Sequence, residues 1–130
     1  MNLIPSPSDI TTLARNEVFV FGSNRGGRHG KGAAKQAVKW GARMGQGEGL
    51  MGQTYGISTK DANLQVLTLR EIQINVDRFI RCALTHPELI FLVTAIGTGL
   101  AKLKVSDIAP MFRGAPDNVR LPKSFLETLK

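Results

Sequence analysis

The chain has 130 residues, with 17 Lys and Arg against 10 Asp and Glu and a formal charge of +7. At 42% hydrophobic and 21% charged residues it has the composition of one folded domain over residues 1–130, which excludes wholesale disorder, collagen-like repetition and coiled coil. The longest apolar run, residues 89–96, is far short of the ~20 residues a membrane helix needs, and MNLIPSPSD lacks the order of a signal peptide, so a soluble, cytoplasmic protein without a membrane partner is expected.

In chain order, Ser6 or Ser8 with Pro7 and Asp9 predicts a short opening helix. The β-rich run EVFVF predicts a strand over residues 17–21, ending at Gly22. A glycine-rich segment, GSNRGGRHGKGAA, then leads into a helix over residues 33–40. A second glycine-rich stretch, GARMGQGEGLMGQ, reads as a loop before a short strand over residues 54–58. Apolar residues Ile72, Val76, Phe79, Ile80 and Ala83 recur at intervals of three and four, predicting an amphipathic helix from Leu69 to about Thr85, stopped by Pro87. The continuous apolar run of residues 89–96 suits a central strand buried on both faces, and it breaks at Gly97-Thr98-Gly99. A helix over residues 106–112, an edge strand over 118–121 and a terminal helix from Pro122 complete the chain. This alternation predicts a three-layer α/β/α domain with ligands at the carboxyl ends of its strands.

The positive charge is local. No acid falls between Glu17 and Glu48, while Arg25, Arg28, Lys31, Lys35, Lys39 and Arg43 do. The four-residue spacing of the last four reads either as the solvated face of a helix or as a basic rim around an anion site. Two phosphate-binding signatures fail. For a P-loop, Gly32 stands where the hydroxyl residue belongs and Arg25 where the first glycine belongs; the literal GxGxxG at residues 47–52 follows a loop, not a strand. The underlying physics survives, since glycines between a strand and a helix let backbone N–H groups approach a phosphate. Residues 22–32 meet that description, and Gly97-Thr98-Gly99 meets part of it.

These residues resemble the macro domains, closest to the branch of terminal ADP-ribose protein glycohydrolase and to macro-like proteins of phages and bacteria. Gly30-Lys31-Gly32-Ala33-Ala34 is similar to that family's G-x-G-I-A run. Tyr55-Gly56-Ile57-Ser58-Thr59-Lys60 is similar to its aromatic-x-I-T-K strand end, and Ile96-Gly97-Thr98-Gly99-Leu100-Ala101 to I-G-C-G-L-D. The match covers residues 17–112 and implies a macro-like fold with a mixed central sheet. It implies a cleft for ADP-ribose, a related nucleotide or an ADP-ribosylated molecule, in which Gly30, Gly32, Ala33, Gly97, Thr98, Gly99 and Leu100 grip the diphosphate. Gly22, Ser23, Asn24, His29 and Thr59 would complete the ligand-binding set. It also implies that Lys60 matches the lysine nucleophile that attacks the anomeric carbon of the bound ribose, and that a carboxylate after G-L moves protons for it. Ala101 stands at that position, which sets hydrolysis against simple binding; Glu48 and Asp61 are the acids that could substitute.

Other readings stand beside these. Asn24 is either a ribose ligand or a turn residue, and His29 either contacts a phosphate or packs on its loop. Lys60 could be a plain surface lysine at a strand end. Cys82 and His86 share a helix face, but two ligands make a poor metal site, so no metal and no cofactor is expected. A basic nucleic-acid-binding domain is the remaining alternative, weakened by 6% aromatics and the lack of a stacking platform.

Overall fold

The computed structural model describes all residues, 1–130. Five strands, β1 (Glu17–Asn24), β2 (Gly49–Met51), β3 (Thr54–Lys60), β4 (Ile90–Val93) and β5 (Val119–Arg120), form one sheet in the order β2-β3-β1-β4-β5. β2 runs antiparallel to β3; the other pairings are parallel, with β1 in the centre and Phe21 opposite Gly56 on one side and Phe19 opposite Leu92 on the other. Helices α1 (Gly32–Ala37), α2 (Leu69–Thr85), α3 (Val105–Ile108) and α4 (Lys123–Leu129) cover both faces, giving a mixed α/β sheet between helical layers.

The side-chain alternation of a strand explains the continuous apolar runs, because both faces are buried. Val18 and Val20 of β1 face one way, packing with Tyr55 and Ile57 of β3 and with Ile72, Val76, Phe79 and Ala83 of α2. Phe19 and Phe21 face the other way, toward Ala34 and Ala37 of α1 and Ile10. On the α2 side, Phe79 lies at the hub of an aromatic chain, with ring centroids 5.1 Å from Tyr55, 5.5 Å from Phe91 and 6.1 Å from Phe112.

α2 begins and ends where its sequence pattern places it. Thr68 accepts the Glu71 N–H at 3.2 Å, and Glu71 accepts the Thr68 N–H at 3.1 Å, a reciprocal capping box. Beyond its end, the Asn118 side-chain amide donates to the carbonyls of Ala83, His86 and Leu89, joining the helix end to the approach to β4.

Four expectations need correction. The opening helix does not form: Ser6 instead gives its N–H to Leu121 O at 2.8 Å and its hydroxyl to Val93 O at 2.7 Å, binding residues 6–10 to the sheet as an extended strap. Pro5 and Pro7 restrict the residues before them to extended backbone, which favours that outcome. The second glycine stretch is not all loop, since residues 49–51 pair with β3 as an edge strand. The helix after the first glycine loop is only six residues long, from Gly32 to Ala37, and tightens into a 3-10 turn over Val38–Trp40. The helix read over residues 106–112 is a short α3 followed by a 3-10 turn over Ala109–Phe112, which has Pro110 in its first turn.

Candidate functional site

The carboxyl ends of β1, β3 and β4 converge on two loops. The first, residues 24–31, leaves β1. Its start is closed by Asn24, whose side-chain oxygen accepts the Arg28 N–H at 2.9 Å while its amide donates to Arg28 O at 3.0 Å. The Asn24 side chain thus shapes the turn, and both ends of its amide are in use. His29 is 2% exposed; its ring meets Phe21 edge-on at 5.4 Å, and Nε2 donates to Gln46 O at 2.8 Å. Its Nδ1 has no hydrogen-bond partner. In this conformation His29 packs beneath the loop.

The glycines of this segment divide into two groups. Gly27 and Gly47 let the two glycine-rich stretches lie backbone against backbone: Gly45 N–H donates to Gly27 O at 3.0 Å, and a Cβ on Gly47 would strike the Asn24 carbonyl. Those positions are structural. Gly30 has open space beside it, and Gly32, at φ +59°, has as its nearest neighbour the Leu100 side chain, 3.8 Å from where a Cβ would sit. Lys31, which precedes α1, provides no side-chain cap.

The second loop, residues 95–103, follows β4. Gly97 takes φ +76°, and its carbonyl accepts the Leu103 N–H at 2.7 Å; the Gly99 carbonyl accepts the Lys102 N–H at 3.0 Å, and the Thr98 hydroxyl donates to Ala95 O at 2.7 Å. These bonds brace the loop while leaving Gly99 and Leu100 exposed, with Leu100 63% accessible. Gly22 lies under the loop, its missing Cβ position 3.4 Å from Gly97 N. Ser23 and Thr59 are buried, and the Thr59 hydroxyl donates to Ser23 O at 3.4 Å. The structure therefore brings Gly32 next to Leu100 and sets Gly97 against Gly22 and Thr59, while Gly30 and Gly99 have open space beside them.

Lys60 ends β3, with its carbonyl accepting the Arg25 N–H at 3.0 Å and its side chain half-buried. Its ammonium is in no ion pair. The two acids that could have served it are engaged elsewhere. Asp61 accepts the N–H groups of Asn63 and Gln65 at 2.8 and 3.0 Å, while Glu48 faces Arg78 at 3.6 Å and Arg25 at 3.9 Å. Lys31, Lys35, Lys39 and Arg43 are all exposed, but only Lys35 lies within α1: Lys31 precedes it, Lys39 sits in the 3-10 turn and Arg43 lies beyond the left-handed Gly41.

Sequence reasoning missed a recess formed by the N-terminal strap. A cleft of about 380 Å³ runs beside α1, lined by Ser6, Asp9, Ile10, Phe19, Ala33, Gln36, Thr94 and Ala95 among others. Its wall is the N-terminal strap, fixed by Ser6 and by the Gln36 amide, which donates to Ile10 O. The signal available was the Pro5–Pro7 alternation, which marks extended chain rather than helix. No helix is long and apolar enough to cross a membrane, and no group of three or more His, Cys, Asp or Glu side chains is arranged to hold a metal ion. No protein-family model, curated protein or solved structure matches the chain.

Proposed function

We propose that this protein binds ADP-ribose, or a related nucleotide or ADP-ribosylated molecule, with the diphosphate between the two loops and the remainder of the ligand in the adjoining cleft. The observation that carries the reading is the start of α1: Gly32 has the Leu100 side chain as its nearest neighbour, and the next residue, Ala33, lines the wall of the 380 Å³ cleft. The cleft therefore adjoins the glycine segment at the first turn of α1, and its volume falls within the range of small-molecule pockets. The cleft is mixed in chemistry: Ile10 and Phe19 supply apolar surface, and the exposed Asp9 carboxylate, in no ion pair, can accept from an exocyclic amine. The unpaired lysines 31, 35 and 39 add long-range attraction for an anion. Binding is favoured over hydrolysis because Ala101 removes one carboxylate and the structure engages Glu48 and Asp61 elsewhere.

Thermal unfolding with ADP-ribose, NAD, ADP and AMP tests the reading. Ligand at ~100 times its dissociation constant adds about 2.7 kcal/mol of apparent stability. Gly99→Glu is expected to abolish the ADP-ribose shift while leaving the unliganded melting temperature unchanged, since a side chain there meets open space but carries a charge that repels the diphosphate. Equal stabilisation of variant and wild type would overturn the site. Binding that instead collapses steeply with salt and favours oligonucleotides would support the nucleic-acid alternative.

A further inference from the structure

We infer that the protein has a second ligand site under the β2–β3 hairpin, for a small zwitterion that carries an ammonium and a carboxylate, the chemistry of a small α-amino acid. The site is a recess of about 160 Å³ lined by Glu48, Gly49, Tyr55, Gly56, Asn75 and Arg78. It shares no lining residue with the larger cleft and does not rest on the nucleotide reading.

Two polar side chains at this recess are more than nine-tenths buried and incompletely bonded. Asn75 is 5% exposed; its amide nitrogen donates to Ser58 O at 2.9 Å, leaving its oxygen as an unused acceptor. Tyr55 is 7% exposed, and its hydroxyl bonds to no protein group. Neither the Asn75 oxygen nor the Tyr55 hydroxyl is sealed from solvent, so both atoms are accessible to a small ligand. At the rim, Glu48 is ion-paired with Arg78 at 3.6 Å and with Arg25 at 3.9 Å, both outside ordinary hydrogen-bond distance, so these side chains keep hydrogen-bonding capacity toward a ligand.

The pattern selects the ligand. Glu48, the Asn75 oxygen and the Tyr55 oxygen are acceptors suited to an ammonium. The Arg78 guanidinium and the Tyr55 O–H are donors suited to a carboxylate. Burial, followed by the fields of Cys82 and Glu48, pushes the Tyr55 phenol up to about 12, which keeps it a neutral donor at neutral pH. A lone cation would be opposed by Arg78 and Arg25 and a lone anion by Glu48, whereas a zwitterion meets both signs. The recess is smaller than a pocket for a drug-sized molecule, which restricts it to a few heavy atoms.

Amide proton–nitrogen correlation spectra of the whole chain, titrated with glycine and L-serine, test the site. Methylammonium and acetate serve as single-charge controls. Saturable shifts at the Gly49, Gly56 and Asn75 amides are expected, with dissociation constants on the order of millimolar. Glu48→Gln and Arg78→Gln should each weaken binding at least about tenfold. Tyr55→Phe, which keeps the core ring, should also weaken it, while the response to ADP-ribose stays unchanged in all three. Absence of saturable shifts would mean that the recess holds water only. Equal shifts from acetate or methylammonium alone, or full retention in Glu48→Gln and Arg78→Gln, would likewise overturn the inference.

Discussion

Tyr55 is the only tyrosine in the chain, so its ionisation can be followed without overlap from another phenol. Its pKa is raised from 10.0 to about 12, with burial the largest cause. For a group whose folded value lies above its unfolded value, the stabilisation is fully present below the unfolded value and is lost as pH rises through the folded one. Phenolate absorbance in the native protein is therefore expected to appear near pH 12 rather than pH 10. Stability should fall between those limits by more in the wild type than in Tyr55→Phe. A titration midpoint near 10 in the folded protein would show that the hydroxyl is solvated. Cys82 follows the same rule in direction, since burial pushes its thiol up. Unlike Tyr55, it has a histidine beside it, with Sγ 3.7 Å from His86 Nδ1.

Among the elements, α2 has the clearest local logic. Glu71 is held below the usual carboxylate range first by the Thr68 backbone N–H, then by the Thr68 hydroxyl, with Arg25 adding to it. Its contribution is therefore present at neutral pH and lost as pH falls through the folded value. Thr68→Ala removes the hydroxyl that satisfies the Glu71 N–H, and is expected to cost about 1 kcal/mol in urea unfolding at neutral pH. The variant should also weaken the hold on Glu71, so a smaller acid-induced loss is expected than in the wild type. An unchanged urea midpoint would mean that packing of Ile72, Val76 and Phe79 alone sets where the helix begins. The glycine stretches show a different logic: their pairing depends on contacts between residues some twenty positions apart, so neither can be understood as an independent loop.

Across the whole molecule, stability is concentrated on the α2 face. Phe79 is fully buried, touches Tyr55, Phe91 and Phe112, and so joins α2 to β3, β4 and the turn after α3. Phe79→Ala is expected to cost about 3–5 kcal/mol. A domain of this size has roughly 5–15 kcal/mol in total, so the variant should be partly unfolded at moderate temperature, as read by circular dichroism. A loss below about 1 kcal/mol would indicate that neighbouring side chains collapse into the space. The loops proposed to bind nucleotide lie at one end of the sheet, away from this hub, so changes such as Gly99→Glu act on binding with little effect on folding.

What the sequence determined by itself is the local periodicity. The three-and-four spacing located α2, the β-rich runs located β1 and β3, and the alternation of strands and helices set the α/β class. The glycine clusters marked both loops that now face each other, because glycine content is a local property that survives without knowledge of the fold. Only the tertiary structure decided which glycines are structural, since Gly47 and Gly27 meet their partners through a contact that no spacing rule reveals. It alone turned residues 6–10 from a helix candidate into a cleft wall, through bonds from Ser6 to Val93 and Leu121 about ninety or more positions away. It also engaged Asn24, His29, Asp61 and Glu48 in loop bonds and ion pairs. A side chain's availability for chemistry depends on what else reaches it, and that is fixed by long-range packing rather than by the residues beside it in the chain.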